Sequence, residues 1–361
     1  MKVLVIDDIE ASIKGVIDYC REKNWEIELS DFNDAYKYIL EFDPDVIVLD
    51  WKDDAENTCI GDNILNHIWN VCFRPLVIFS ANAAVISVEE KLNQSNLVKV
   101  ISKGDEQPVI DFLEHTVKFV SSLATYRRDM GKALISSLNS IEFLKNEPNI
   151  EENAVGYVLS KRTAAFFDKE FTESLSPSWV QYLCPPVNDS LCVCDIIRKI
   201  SQETDFNVVG NPEEYCMILT PSCDMNTENG RTPKVSHALC AHCYPKEKFH
   251  GKRLEPQPSN NKIKEVVSKL NMGYNNAFVA IPGLTNVIPY MTVDMKKLEL
   301  ISIPSIALNN KQEGEDIEYV RVASISSPFR EQIVWAYLQT SCRPGVPDRN
   351  SELWAKEMLS E

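Results

Sequence analysis

Val3-Leu4-Val5-Ile6-Asp7-Asp8 opens the chain and decides how its first third folds. Four consecutive apolar residues are too few for a helix. Without alternating polar positions they read as a strand buried on both faces of a parallel sheet. Three later stretches repeat the form. Val46-Ile47-Val48-Leu49 runs into Asp50, Leu76-Val77-Ile78-Phe79 into Ser80-Ala81, and Val98-Lys99-Val100-Ile101 into Ser102-Lys103. In open α/β sheets, chemistry gathers at the carboxyl ends of the strands. Three carboxylates, a hydroxyl and an ammonium are therefore expected along one edge.

Helical spacing fills the intervals. Ile13, Val16, Ile17 and Cys20 form one stripe, Ala35, Tyr38, Ile39 and Phe42 a second, and Ile64, Leu65, Ile68 and Cys72 a third. Ser87 with Glu90 is a capping-box pair for a fourth helix. Trp25-Glu26-Ile27-Glu28-Leu29 alternates, which predicts a half-exposed strand toward the sheet edge. The sum is five β/α repeats over residues 1–125, a doubly wound parallel sheet. A stripe from Leu113 through Leu134 and Leu138 carries the last helix to about Leu144, into a helical linker spanning 126–183. That stripe suits a connecting helix, a homodimer seam over 106–145, or packing on the chain's own second domain. A further helix is expected from Val155 to about Leu175, with Pro148 and Glu151 marking a boundary.

The 361 residues hold two domains' worth of chain, with a net charge of −16. Residues 1–125 carry 11 Lys+Arg against 23 Asp+Glu, so most of the acidity belongs to the first domain. No basic stripe of the kind that grips nucleic acid is present, which disfavours a DNA-binding output. No apolar stretch reaches membrane-spanning length and the start turns acidic too soon for a secretory signal, so a cytoplasmic location is expected.

An aspartate that accepts a phosphoryl group needs the charge on the transferring oxygens neutralised. A divalent cation held by further carboxylates does this, helped by an ammonium and a hydroxyl. Asp7, Asp8, Asp50, Lys103 and Ser80 are those groups at the right strand ends. With this set, residues 1 to about 125 resemble the receiver domain of bacterial two-component response regulators, the CheY-like superfamily of flavodoxin-like fold. The resemblance implies that Asp50 is the phosphorylation site. It implies that Asp7, Asp8, Asp50 and the main-chain carbonyl of Lys52 hold Mg²⁺, with Ser80 as switch hydroxyl and Lys103 pairing with the phosphate. Two positions depart from the family: Ile101 stands where an aromatic residue is usual, and Gly104 where proline is usual.

Beyond residue 184 the pattern turns to strands, predicting an α+β domain or small β-barrel over 184–361. Tyr215–Leu219, Val235–Ala241, Ala277–Ile281, Val287–Val293, Leu298–Ile303 and Tyr319–Ile325 read as strands. Residues 246–262 read as an exposed loop, and Ser327-Pro328 as the N-cap and first residue of a final helix. Seven of the 11 cysteines fall between Cys184 and Cys243. Cys240-Ala241-His242-Cys243 with Cys223 upstream is a candidate zinc site, with Cys216, His242, His237, Cys342 or one of Cys184, Cys192 and Cys194 as the fourth ligand. The competing reading is buried free thiols, since strand alternation points Cys240 and Cys243 to opposite faces. No His-x-Glu occurs, so the zinc deaminase signature is absent. A Cys223/His237 nucleophile pair is the other catalytic reading. Thr220-Pro221-Ser222-Cys223-Asp224, with Arg321, Arg330, Arg343 and Asp348 in the tail, is similar to an uncharacterised bacterial domain that implies no activity; arginines that brace secondary elements are the commoner case.

The expected function is a response regulator phosphorylated on Asp50 by a sensor histidine kinase, acting through an effector that meets a downstream protein. The rival is a phosphorylation-gated enzyme acting on a small molecule or nucleic acid. A third reading is a receiver that serves only as scaffold.

Overall fold

The structure, a computed structural model, describes residues 1–52, 61–71, 73–81, 83–86, 97–138, 152–171, 177–200, 208–251, 259–310, 314, 316–342 and 350–359. The Ser87/Glu90 pair, Cys59, Cys72, the stripe beyond Leu138, Pro148, Glu151, Arg343 and Asp348 lie outside these residues. The chain divides into two compact units, Met1–Glu173 and Ser174–Glu361.

The first unit is built on strands β1 (Lys2–Ile6), β2 (Glu26–Ser30), β3 (Val46–Leu49), β4 (Leu76–Ser80) and β5 (Val98–Ser102), all parallel, in the order β2-β1-β3-β4-β5. Alternate residues of the central strands enter two cores. Leu4, Ile6, Ile47, Leu49, Leu76 and Ile78 pack with Ala35 and Ile39 of helix α1 (Ala35–Glu41) and with Ile64 and Ile68 of α2 (Gly61–Val71). On the opposite face Val3, Val5, Val46, Val48, Val77 and Phe79 pack with the helix Lys14–Glu22 and with Val109, Phe112 and Leu113 of α3 (Gln107–Leu138). Burial on both faces is why these strands carry unbroken apolar runs. Glu26 and Glu28 of β2 stay exposed at the edge, as the alternation predicts.

Helix α3 is one continuous helix of 32 residues. Part of its distal stretch is covered within the same unit by α4 (Glu152–Phe171): Tyr126 stacks on Phe167 with ring centroids 5.4 Å apart, and the Ser137 and Thr163 hydroxyls lie 3.4 Å apart. Most of the segment read as a linker thus belongs to the first unit.

The second unit is α+β, an open and mainly antiparallel sheet rather than a closed barrel. Its strands are β6 (Tyr182–Leu183), β7 (Asp195–Lys199), β8 (Tyr215–Ile218), β9 (His237–Pro245), β10 (Phe278–Ile281), β11 (Met291–Ser302), β12 (Ile306–Ala307) and β13 (Tyr319–Ile325). They lie in the order β10-β11-β9-β8-β7-β13-β12, with β6 paired to β13 and β12 parallel to it. Three expectations are corrected. The two strands read over 287–303 are the single strand β11, bulged between Val293 and Leu298. The stretch read as a loop to residue 262 contains the helical turn α5 (Glu247–His250) and the start of α6 (Asn260–Asn271), where the Ser259 side chain accepts from Lys262 N. Pro328, not Ser327, occupies the N-cap of α7 (Phe329–Ser341), and a further helix follows at Ser351–Leu359. Among the described residues, no helix is long and apolar enough to cross a membrane.

Candidate functional site

The register of the first sheet builds its acidic edge. Ile6 pairs with Leu49, so Asp7 and Asp50 leave adjacent strands side by side, tied by Asp50 N donating to Ile6 O at 2.8 Å. Here the strand order reverses direction, β1 connecting outward to β2 and β3 outward to β4 and β5. Such a switch point is where an open α/β sheet leaves a crevice. On the other side Ser80 pairs with Ser102, and Lys103 N donates to Ser80 O at 3.1 Å, which brings the lysine back over β3.

The Lys103 ammonium is 2.7 Å from Asp50 Oδ2 and 2.8 Å from Asp7 Oδ2. Trp51 N donates to Asp50 Oδ1 at 2.7 Å, and Ile9 N to Asp7 Oδ1 at 2.8 Å. Asp50 and Ser80 are buried. Ser12 adds a residue that sequence reading missed: its hydroxyl donates to Asp7 Oδ2 at 2.8 Å. Nothing in the local pattern marks it, because its role depends on where the turn after β1 brings the next helix.

Burial pushes the Asp50 carboxyl above its ordinary 3.8. Lys103 pulls the other way without cancelling the rise, and the nearby Asp7 charge adds to it. Burial likewise works against the Lys103 ammonium, but its hydrogen bonds to Asp50 and Asp7 prevail and hold it above 10.5. A carboxyl raised on folding favours its protonated form in the native state. Its charge therefore takes away stability as pH rises from 3.8 through the higher folded value. Asp50→Asn is expected to raise the melting temperature at neutral pH by about 2–4 °C, the shift produced by ~1 kcal/mol in a domain of this size. The gain should vanish below about pH 3.8, where Asp50 is neutral in both states; thermal melts of the two proteins across pH test this, and a gain that persists in acid would refute it.

One carboxylate oxygen from each of Asp7, Asp8 and Asp50 lies within 4.8 Å of the others. Ligands in an octahedral Mg²⁺ shell are about 3–4 Å apart, given metal–oxygen distances of about 2.0–2.1 Å, so this all-oxygen set suits that ion in chemistry and would draw together by less than about 1 Å to hold it. The Gly104 departure has a backbone reason. Its φ is +124°, a value closed to proline's ring, so this chain turns after Lys103 in a way the usual residue could not. Ile101 is partly buried against the valine face of the core.

The cysteine expectation is corrected. Cys243 sits in the core with Tyr215 and Met217, whereas Cys240 lies on the other face with Cys216 and Ile218, because residues three apart on a strand point oppositely. Cys223 is exposed beside Asp224, and His242 Nε2 pairs with Glu299 at 3.0 Å. Cys223, Cys240, Cys243 and His242 therefore do not converge on one ion. Among the described residues, the three aspartates are the only such group of three. No hydrogen bond joins Cys223 to His237 among the described residues: Cys223 Sγ lies 3.5 Å from Asp224 Oδ1, and His237 Nδ1 2.9 Å from Ser236 Oγ. A line not foreseen as catalytic does form: Cys216 Sγ lies 3.8 Å from His242 Nδ1, with Glu299 beyond. Burial pushes the Cys216 thiol to about 12, the wrong direction for a nucleophile.

No family model and no curated protein matches the chain. Among solved structures, it is similar to the N-terminal domain of a response regulator/sensory box/GGDEF protein from Carboxydothermus hydrogenoformans. That match has 18% identity and a TM-score of 0.27, covering 34% of this chain and 98% of that one. It is also similar to the receiver domain of the PhyR response regulator from Erythrobacter litoralis (17%, TM-score 0.27, 33% and 90% covered). A third is the receiver domain of a Luxo repressor protein from Vibrio parahaemolyticus (19%, TM-score 0.29, 35% and 95% covered). With its five parallel strands in the order β2-β1-β3-β4-β5, the first unit has the flavodoxin-like doubly wound fold.

Proposed function

We propose that this chain is a response regulator that accepts a phosphoryl group on Asp50 from a sensor histidine kinase and controls its second unit through that change. The observation that carries the reading is the meeting of Asp7, Asp8, Asp50, Ser80 and Lys103 at one sheet edge. An Asp50 oxygen attacks phosphorus, the phosphorus–nitrogen bond to the donor histidine breaks, and the nitrogen retains the electron pair. Lys103 pairs with a phosphoryl oxygen and Ser80 donates to another. Asp7, Asp8, Asp50 and the Lys52 carbonyl would hold Mg²⁺, which when bound neutralises charge on the transferring oxygens.

Phosphorylation replaces a carboxylate paired with Lys103 by a more highly charged group, and so biases a two-state element. The effector is read as a module that meets a downstream protein without DNA, since no basic stripe accompanies it. The phosphorylation-gated enzyme is the second reading; the Cys216–His242–Glu299 line is a geometric point in its favour, and the raised Cys216 thiol counts against it. Incubation with acetyl phosphate and Mg²⁺, followed by intact-mass measurement, should show one added phosphoryl group in the native chain and none in Asp50→Asn. An unmodified native chain would leave the scaffold reading.

A further inference from the structure

The second unit contains a cavity of about 770 Å³ under strands β10 and β11, walled by α5, α6 and α7. Its floor is apolar: Val279, Ile281, Met291 and Ile333 are each no more than 5% exposed. Ligand pockets have this size and character, an apolar lining with a few placed polar groups.

Two polar groups in this lining are left over by the fold. Gln181 is 8% exposed, and its Nε2 is buried without a hydrogen-bond partner. It lies against the oxygen of the Tyr182 hydroxyl, which donates its own proton to Pro282 O at 2.5 Å and can take at most one of the two amide N–H groups, so at least one is left without an acceptor. His250 Nδ1, across the same cavity, is also buried without a partner. The Gln181 backbone and the start of the turn that ends in His250 are each tied to a neighbouring segment. Ser326 N donates to Gln181 O at 2.8 Å, and the wholly buried Thr292 donates to Lys246 O at the start of α5. A buried donor without an acceptor costs about 1–3 kcal/mol, so two such atoms facing one cavity mark a place where a ligand completes the hydrogen bonding.

We infer that this cavity binds a small molecule with an apolar body and a carbonyl or carboxylate head, the head accepting from Gln181 Nε2. The amide nitrogen has two N–H groups and no lone pair to offer, so the ligand atom facing it must be an acceptor. The Nδ1 of His250 donates or accepts according to its tautomer and meets a second atom of the same head. At the cavity's edge the Lys246 ammonium, over the Tyr290 ring, attracts an anionic head and the adjoining Glu247 carboxylate opposes it, so both the anionic and the neutral form are admitted. The inference is independent of Asp50 phosphorylation.

The experiment uses the full chain, with decanoate and decanamide as probes, read by isothermal titration and thermal melts. Saturable one-to-one binding is expected for both. Gln181→Leu should weaken both by about tenfold, the loss of roughly one hydrogen bond. Its melting temperature without probe should equal or exceed the native value, because an unsatisfied donor has been removed. Val266→Trp, which fills the cavity from the α6 wall, should abolish binding with the far-ultraviolet circular dichroism unchanged. Absence of saturable binding by either probe would overturn the inference. So would undiminished binding by Gln181→Leu, or a lower melting temperature in that variant, which would make Gln181 a structural residue.

Discussion

Lys103→Met is expected to destabilise the first unit by about 3–5 kcal/mol and to abolish phosphoryl uptake by an otherwise intact Asp50. The side chains of Asp7 and Asp50 are 2% and 5% exposed, and the ammonium lies within 2.8 Å of both. Removing it leaves two like charges facing each other with little water to screen them. At about 2–4 °C per kcal/mol the melting temperature should fall by about 6–20 °C. The double variant Lys103→Met/Asp50→Asn should recover much of that loss, because one of the stranded charges is gone. Urea titrations of the four proteins measure the coupling. Additive effects would mean that Lys103 stabilises the unit by something other than this pairing.

Arg321→Met should be comparably severe in the second unit, again about 3–5 kcal/mol. The guanidinium is 5% exposed and donates to Ser190 O at 2.8 Å, Asn188 O at 2.7 Å and Leu308 O at 3.2 Å, with Asp195 Oδ2 at 3.5 Å. Asp195 is fully buried; it accepts from Ser324 Oγ at 2.6 Å and Cys192 N at 2.8 Å. Burial pushes its carboxyl above 3.8, against the pull of Ser324, Cys192 and Arg321. Without the arginine, three carbonyls and one buried charge lose a partner together. Lowering the pH toward 3.8 should narrow the gap between variant and native protein, since protonating Asp195 removes the stranded charge. Urea titrations at neutral and acid pH test this. A gap that does not depend on pH would show that the cost lies in the carbonyls alone. Arg321 therefore braces two loops against β13, while among the described residues Arg330 ion-pairs with its neighbour Glu331.

The first unit was legible because its signals are local. An apolar run of four ends at each charged residue, and the parallel sheet supplies the neighbour at every step. Ile6, Leu49, Phe79 and Ile101 precede the groups that meet, so strand ends read in order already name the site. Harder to see was β7. Asp195 and Arg198 break its apolar run, and they are tolerated only because Arg321, Ser324 and Glu214 meet them. Charged residues also split β11 in the reading, where Lys296, Lys297 and Glu299 face solvent on a strand that continues.

From the order of residues alone came the doubly wound sheet, the acidic edge with its lysine, and the contrast between an acidic first unit and a cysteine-rich second. These follow because strand period and strand ends are properties of a few neighbouring residues. Tertiary structure decided what the cysteines do, which arginine is buried, and that Gln181 and His250 share a cavity. Those outcomes depend on cross-strand register and on which face a side chain takes. Strands far apart in the chain set both when they pair, so spacing within a single segment could not supply them.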